Sequence, residues 1–307
     1  MSDEPGRPTA SGPNLAVRRL SLGLAVAGVL AQIAHPLLSG SALRTATILS
    51  VLLLGAAAPA HAGAVWGRFP ALSLLLVAGG LGLAAETVGV HTGFPFGAYS
   101  YADTLGPRLA GVPLVVPLAW TMLAYPCLLL GRRLAHPSRH RPAETSGPTG
   151  RARLLTAGLG GFALAAWDLF LDPQMVAQGH WTWAHPSPSL PGVPGVPLTN
   201  YAGWLLVSVL MIAALDRALP PTPRLHGVGG FTPVVVLAWT WWGSAVGNLV
   251  FFDRPWVALY GGAVMGVVVL PYLLLVRADL HEADPIEPPN VRIEYGNAPE
   301  YRNEART

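Results

Sequence analysis

The chain has 307 residues, of which 52% are hydrophobic and 11% charged, with a formal net charge of +3 and a mean hydropathy of +0.45. A soluble globule carries about twice that share of charge, so the composition excludes one and specifies a polytopic membrane protein. All nineteen basic residues are arginine. The lack of lysine excludes a retinal Schiff base and a Walker-type phosphate loop, and arginines that flank apolar runs without forming a stripe leave no nucleic-acid partner.

The predicted fold is all-α: an integral membrane bundle of about eight transmembrane helices, multi-pass in the cell membrane, with N- and C-termini cytoplasmic. A polar tail, 1–14, precedes a transmembrane domain over 15–277. Its apolar segments, roughly 18–38, 45–66, 70–90, 112–130, 154–172, 199–216, 231–252 and 256–276, are each long enough for about 30 Å of hydrocarbon. The first has no small-residue cleavage site behind it and is read as a retained helix, not a signal peptide. An inner linker, 131–153, joins the halves, and a charged, proline-containing tail runs over 278–307. Both tails read as disordered. With the N-terminus inside, sixteen arginines fall on the inner side and Arg44, Arg108 and Arg254 outside, a strong positive-inside signal. Cys127 reads as a buried thiol. Asp216 beside Arg217 reads as an ion pair at the inner interface.

Helices three to eight pair into three hairpins of one orientation, each with an acid near its outer turn. In the first, Glu86 leads into Thr92-Gly-Phe-Pro-Phe-Gly-Ala-Tyr-Ser-Tyr101 and then Gly111-Val-Pro-Leu, ending at Trp120. In the second, Asp168 and Asp172 lead into His180-Trp-Thr-Trp-Ala-His185 and then Gly195-Val-Pro-Leu, ending at Trp204. The third has Asn248, Asp253 and Trp256. The repeated Gly-Val-Pro-Leu to Trp spacing, offset by 84 residues, indicates a weak duplication of the first two hairpins.

Carboxylates in a bilayer are expensive and mark functional sites. Asp168 and Asp172 stand one turn apart on a helix face, so the two are read as a coupled unit holding one proton between them. The alternative for Asp172, which precedes Pro173, is a residue at the helix end. The aromatic residues taken singly fit an interfacial belt; their clustering around acids on one face makes them candidate site residues. His180 and His185 read as polar loop residues more than zinc ligands, and no metal is assigned. His35 and His61 read as packing or polar-network residues.

Glu86-Thr-Val-Gly, the Thr92 to Tyr101 loop, Pro117-Leu-Ala-Trp120, Asp168-Leu-Phe-Leu-Asp172-Pro, Trp181-Thr-Trp183 and Asn200-Tyr-Ala-Gly-Trp204 together resemble the carotenoid-biosynthesis membrane proteins that include hydratases of acyclic carotenoids. The resemblance covers roughly residues 80–256 and leaves out the first two helices. It implies addition of water to the terminal double bond of an acyclic carotenoid end, giving a tertiary alcohol.

That chemistry needs a proton donor, stabilisation of a tertiary cation and a placed water, and no cofactor. Candidate catalytic residues are Glu86, Asp168, Asp172, Asn248 and Asp253. Candidate substrate-binding residues are Phe94, Phe96, Tyr99, Tyr101, Trp120, Trp181, Trp183, Asn200, Tyr201 and Trp204. The expected partners are a carotenoid substrate, membrane lipid and other carotenoid-pathway enzymes. Two rival readings are an intramembrane prenyltransferase, whose magnesium-diphosphate site would use the Asp168-x-x-x-Asp172 spacing, and a non-enzymatic carotenoid or solute transporter.

Overall fold

The computed structural model describes residues 13–136, 149–221 and 230–283. The expected tail segments 1–12 and 284–307 and the core of the linker, 137–148, lie outside the described residues. Among the described residues, eight helical segments are long and apolar enough to cross a membrane. They are α1 (Pro13–Ile33), ending in a 3-10 turn at His35–Leu37; α2 (Gly40–Trp66); α3 (Arg68–Leu74), which a π turn at Leu75–Gly79 joins to α4 (Gly80–Thr92); α5 (Val115–Ala135); α6 (Gly150–Ala177); α7 (Leu198–Ala218); α8 (Thr232–Ala238), joined through a π turn at Trp239–Gly243 to α9 (Ser244–Val250); and α10 (Pro255–Ala283).

The helices run past several expected ends. α5 and α6 continue into the predicted linker over 131–135 and 150–153, and α10 extends six residues beyond 277. Thr149 caps α6 by accepting from the Ala152 amide at 3.3 Å, satisfying one of the donors a helix start leaves open. Pro59, Pro126, Pro173 and Pro271 sit inside helices, which a bundle tolerates where neighbours reclaim the freed backbone groups.

α5 is the central post. Every residue from Trp120 to Gly131 is buried, and around it pack α2, α4, α6, α7, α8 and α10. His61 of α2 meets the Tyr125 hydroxyl at 2.7 Å, a polar link between two buried side chains. At the end of the bundle away from the aromatic loops Arg132 donates to Asp216 at 2.7 Å and to the carbonyls of Leu219 and Pro220. Asp216 therefore pairs with Arg132 across the bundle, whereas its chain neighbour Arg217 donates to the Ala213 carbonyl one turn back. A guanidinium arriving from another helix can point along the Asp216 side chain. The next residue on the same helix lies about 100° around the axis and cannot.

At the other end the loops form three short antiparallel ribbons. β1 (Tyr99–Tyr101) pairs with β4 (Trp181–Trp183), β2 (Arg108–Leu109) with β3 (Val112–Pro113), and β5 (Ser189–Leu190) with β6 (Val193–Pro197). The first joins the two hairpins, with Tyr99 opposite Trp183 and Tyr101 opposite Trp181. Bonds from the Ala102 amide to the His180 carbonyl and from the Ala184 amide to the Ala98 carbonyl extend it at both ends. Both aromatic loops thus lie on one face of the bundle.

Tyr99 and Trp183 are themselves 84 residues apart, the offset of the sequence repeat. The other repeat-related aromatics, Trp120 and Trp204, stack with ring centroids 4.0 Å apart and planes 15° from parallel. Gly111 and Gly195, also so related, both adopt positive φ, 85° and 93°, a conformation that glycine takes without steric cost. Residues related by the sequence repeat thus meet across the two hairpins, in the ribbon and in the tryptophan stack.

Candidate functional site

Glu86 lies six residues before the end of α4, about 9 Å at helical rise, and is 5% exposed. Small residues open the helix face around it. A Cβ on Gly82 would fall 2.8 Å from the Trp120 indole, and one on Gly89 would fall 2.9 Å from Phe96 and from the Tyr99 hydroxyl. The aromatic side chains consequently reach the carboxyl. Tyr99 donates to Glu86 Oε2 at 2.5 Å, Tyr101 to the same oxygen at 2.7 Å, and Trp120 Nε1 to Oε1 at 3.0 Å. Burial first, and then the Glu86 charge, holds both loop phenols well above the ordinary tyrosine range. Both keep their protons across the physiological range and act as donors.

The second hairpin builds a different cluster. Asp168 and Asp172 are buried, and the Asn200 amide of α7 bridges them, donating to Asp168 Oδ2 at 2.7 Å and, in a very short contact, to Asp172 Oδ2. Trp181 Nε1 donates to Asp172 Oδ1 at 3.1 Å. α6 runs on past Pro173 for a further turn to Ala177, so Asp172 is an interior residue and the helix-end alternative does not hold. Asp168 Oδ1 and the nearby Tyr201 hydroxyl are buried with no partner.

One cavity of about 60 Å³ unites the clusters. Glu86 and Asp172 face it, with Phe96, Tyr99, Tyr101, Trp120, Trp181, Trp183, Asn200 and Trp204 among its walls. The aromatic rings brace one another: Tyr101 meets Trp181 edge-on at 5.5 Å, Tyr99 lies 5.7 Å from Trp183, and Phe96 lies 6.4 Å from Trp204. Asp168 stands behind Asp172, one turn deeper in α6. His180 joins the loops: its Nδ1 meets the Thr104 hydroxyl at 2.7 Å and its Nε2 the Gln178 side-chain carbonyl at 3.2 Å. Burial and the nearby Arg44 charge lower its pKa, which keeps the ring neutral in this structural role.

Five predicted residues do not reach the cavity wall, Asp168 behind Asp172 being one of them. Phe94 is 64% exposed and faces outward. Tyr201 stands beside the aspartates, outside the lining. Asn248 is buried on α9 and donates to the Ser244 carbonyl one turn back. Asp253 is exposed, at positive φ (51°) in the turn after α9. The third hairpin thus contributes no acid to the cavity wall. Sequence reasoning missed the wall formed by Thr47, Ile48 and Val51 of α2, with Leu171 and Met175 of α6; in any transmembrane helix such residues read simply as lipid-compatible. Among the described residues no group of three or more His, Cys, Asp or Glu side chains converges as a metal-ligand set.

A family model described as carotenoid biosynthesis protein matches residues 46–271. The match takes in α2, a helix the sequence motifs left outside the resemblance and the structure places in the cavity wall. Over 196 residues the chain is 35% identical to bisanhydrobacterioruberin hydratase of Haloarcula japonica, a stretch covering 60% of this chain and 58% of that protein. The match therefore spans less than two thirds of the relative's length. No solved structure matches the chain. With a family match over well more than half its length, the chain belongs to the carotenoid biosynthesis protein family.

Proposed function

We propose that this protein is a hydro-lyase that adds water to the terminal double bond of an acyclic carotenoid end group, giving a tertiary alcohol. The observation that carries the reading is a single apolar, aromatic cavity with two chemically different acid clusters facing it, Asp172 backed by Asp168 on one side and Glu86 on the other. The name of the Haloarcula relative supports the reaction class.

An isoprenoid end carries a carbon with two methyl groups doubly bonded to a CH. A proton from the Asp172 and Asp168 unit adds to the CH, the π electrons form the new C–H bond, and a tertiary cation remains at the dimethyl carbon. The faces of Trp181, Trp183, Trp120 and Trp204 surround that charge, and a desolvated cation–π contact contributes about 2 kcal/mol. Water attacks the cation, and its surplus proton passes to Glu86, onto which three N–H and O–H donors converge. The net change is one water added; proton exchange with solvent resets the acids. Asp253 and Asn248 have no part in these steps. The chemistry needs general acid, general base and positioning alone.

For the prenyltransferase reading, a cation bridging Asp168 and Asp172 would have to displace the Asn200 and Trp181 donors already on them. The transporter reading predicts no change in substrate. The test is a reaction of purified membranes with an acyclic carotenoid in heavy-oxygen water, without added nucleotide or metal. The label should appear in the product hydroxyl. Label derived from molecular oxygen, or an absolute need for magnesium and a diphosphate, would overturn the proposal.

A further inference from the structure

The cavity is too small for the molecule it is proposed to act on. Its volume of about 60 Å³ lies well below the range of about 300–1,000 Å³ usual for compact ligands, and a carotenoid is an extended chain comparable to the roughly 30 Å hydrocarbon thickness of a bilayer. Only an end of the chain fits, and the remainder must leave through a wall.

The loop side is closed. The β1–β4 ribbon lies across it, Trp181 and Trp183 are buried beneath, and the Thr104 to His180 bond ties the loops together. The α5, α7 and α6 sides are packed helix against helix. α2 differs. It packs on α1, α3, α5 and α8, yet shares almost no direct contact with α6, although both helices line the cavity. There α2 gives the cavity wall Thr47, Ile48 and Val51, and α6 gives it Leu171 and Met175. Four are apolar. The hydroxyl of the fifth, Thr47, is already bonded to the Leu43 carbonyl at 2.9 Å, which leaves its methyl as the group free to face a ligand. Ile48 is half-buried, and its neighbours Leu49 and Leu52 are 45% and 46% exposed on the lipid-facing side of the same helix. An apolar surface therefore runs without a polar break from the acid site to the bilayer.

We infer that the space between the outer part of α2 and the outer part of α6 is a lateral passage that binds the polyene body of the substrate, with the reacting end in the cavity and the rest of the chain in lipid. The inference rests on the hydratase reading for the identity of the occupant. It assigns Ile48 and Val51, with Leu171, as residues that select for an unbranched isoprenoid chain by width. The chain enters from the membrane, sliding end-first between two helices.

A photoreactive benzophenone amino acid placed at position 48 or 51 tests this in membranes containing the acyclic carotenoid, with positions 206 and 267, lipid-exposed elsewhere on the bundle, as controls. Illumination should give a protein-bound polyene absorption band at 48 and 51 at least tenfold stronger than at 206 and 267. Equal labelling at all four positions, or labelling by phospholipid acyl chains alone at 48 and 51, would overturn the passage. The narrowing variant Val51→Trp should lower the hydration rate of the long substrate at least tenfold with the amount of folded protein unchanged. An unaltered rate would also overturn it. The two readings separate in one experiment: strong polyene labelling at 48 in wild-type-like membranes that make no alcohol would retain the passage and sink the hydratase.

Discussion

The residue on which the second acid cluster depends is Asn200, and Asn200→Leu is the sharpest perturbation of it. Its one amide group donates to both aspartates and is the N–H donor the described structure gives Asp168. Leucine has the same number of side-chain heavy atoms, branched at Cγ, and keeps the helix, so the shape packed against the buried α6 is conserved to first order. What is lost is two hydrogen bonds to acidic groups, each contributing about 1.5–3 kcal/mol. The remaining donor, Trp181, reaches Asp172 alone. Because the two bonds share one donor they are not additive, and the expected loss of thermal stability corresponds to about 2–4 kcal/mol. If about 2 kcal/mol of that positioning acts in the transition state, the rate falls roughly 30-fold. The assay separates carotenoid substrate from its hydroxylated product by chromatography, with membrane-inserted protein quantified in the same samples and detergent-solubilised protein melted in parallel. A wild-type rate at normal protein level would refute the claim that Asn200 sets the geometry of the acids; a rate loss without any fall in melting temperature would refute the stability arithmetic.

Glu86→Gln and Asp172→Asn should each abolish detectable product while the protein still accumulates in the membrane, and Asp253→Asn should retain more than half of wild-type activity because that side chain is exposed away from the cavity; loss of activity in Asp253→Asn would return the third hairpin to the site. Gly82→Leu drives a side chain into the Trp120 indole, 2.8 Å from where a Cβ would stand, and should cost about 1–3 kcal/mol by overpacking, read as a lower melting temperature together with loss of product. Reporter fusions after residues 140 and 290 should score as cytoplasmic and fusions near 185 as external, since sixteen of nineteen arginines lie on the predicted inner side. The opposite pattern would put the acid-bearing end of the bundle in the cytoplasm.

The membrane class, the eight crossings and the acid-bearing hairpins were legible in the sequence because each rests on a one-dimensional signal: apolar length, or a polar residue in an apolar run. The two aromatic loops were legible too, as composition, but not their pairing. Tyr99 opposite Trp183 is a contact between residues 84 apart, and nothing local in either loop specifies its partner. The third hairpin misled for the complementary reason. Asp253 also lies near an outer turn in the chain, yet it falls in the turn itself, past the end of α9, at positive φ and exposed, whereas Glu86 and Asp172 lie inside their helices; proximity to a turn in the sequence does not fix which side of the helix end a carboxyl occupies. The α2 wall was invisible because Ile48 and Val51 are what any lipid-facing helix would carry. The pairing of Asp216 with Arg132 shows the same limit, since adjacency in the chain outweighed adjacency in space.

The meeting of repeat-related residues, Tyr99 with Trp183 and Trp120 with Trp204, has a stereochemical consequence. A symmetric pocket would present the same surroundings to either face of a double bond, but here the halves differ: one brings a lone glutamate held by two phenols and an indole, the other an aspartate pair held by an amide and an indole. The frame repeats and the chemistry does not. Under the proposed hydration, a terminal alkene held between the two clusters meets its hydrogen from one side and its oxygen from the other. In heavy water the CH carbon becomes CHD with a single configuration, although the product carries no stereocentre when made in ordinary water.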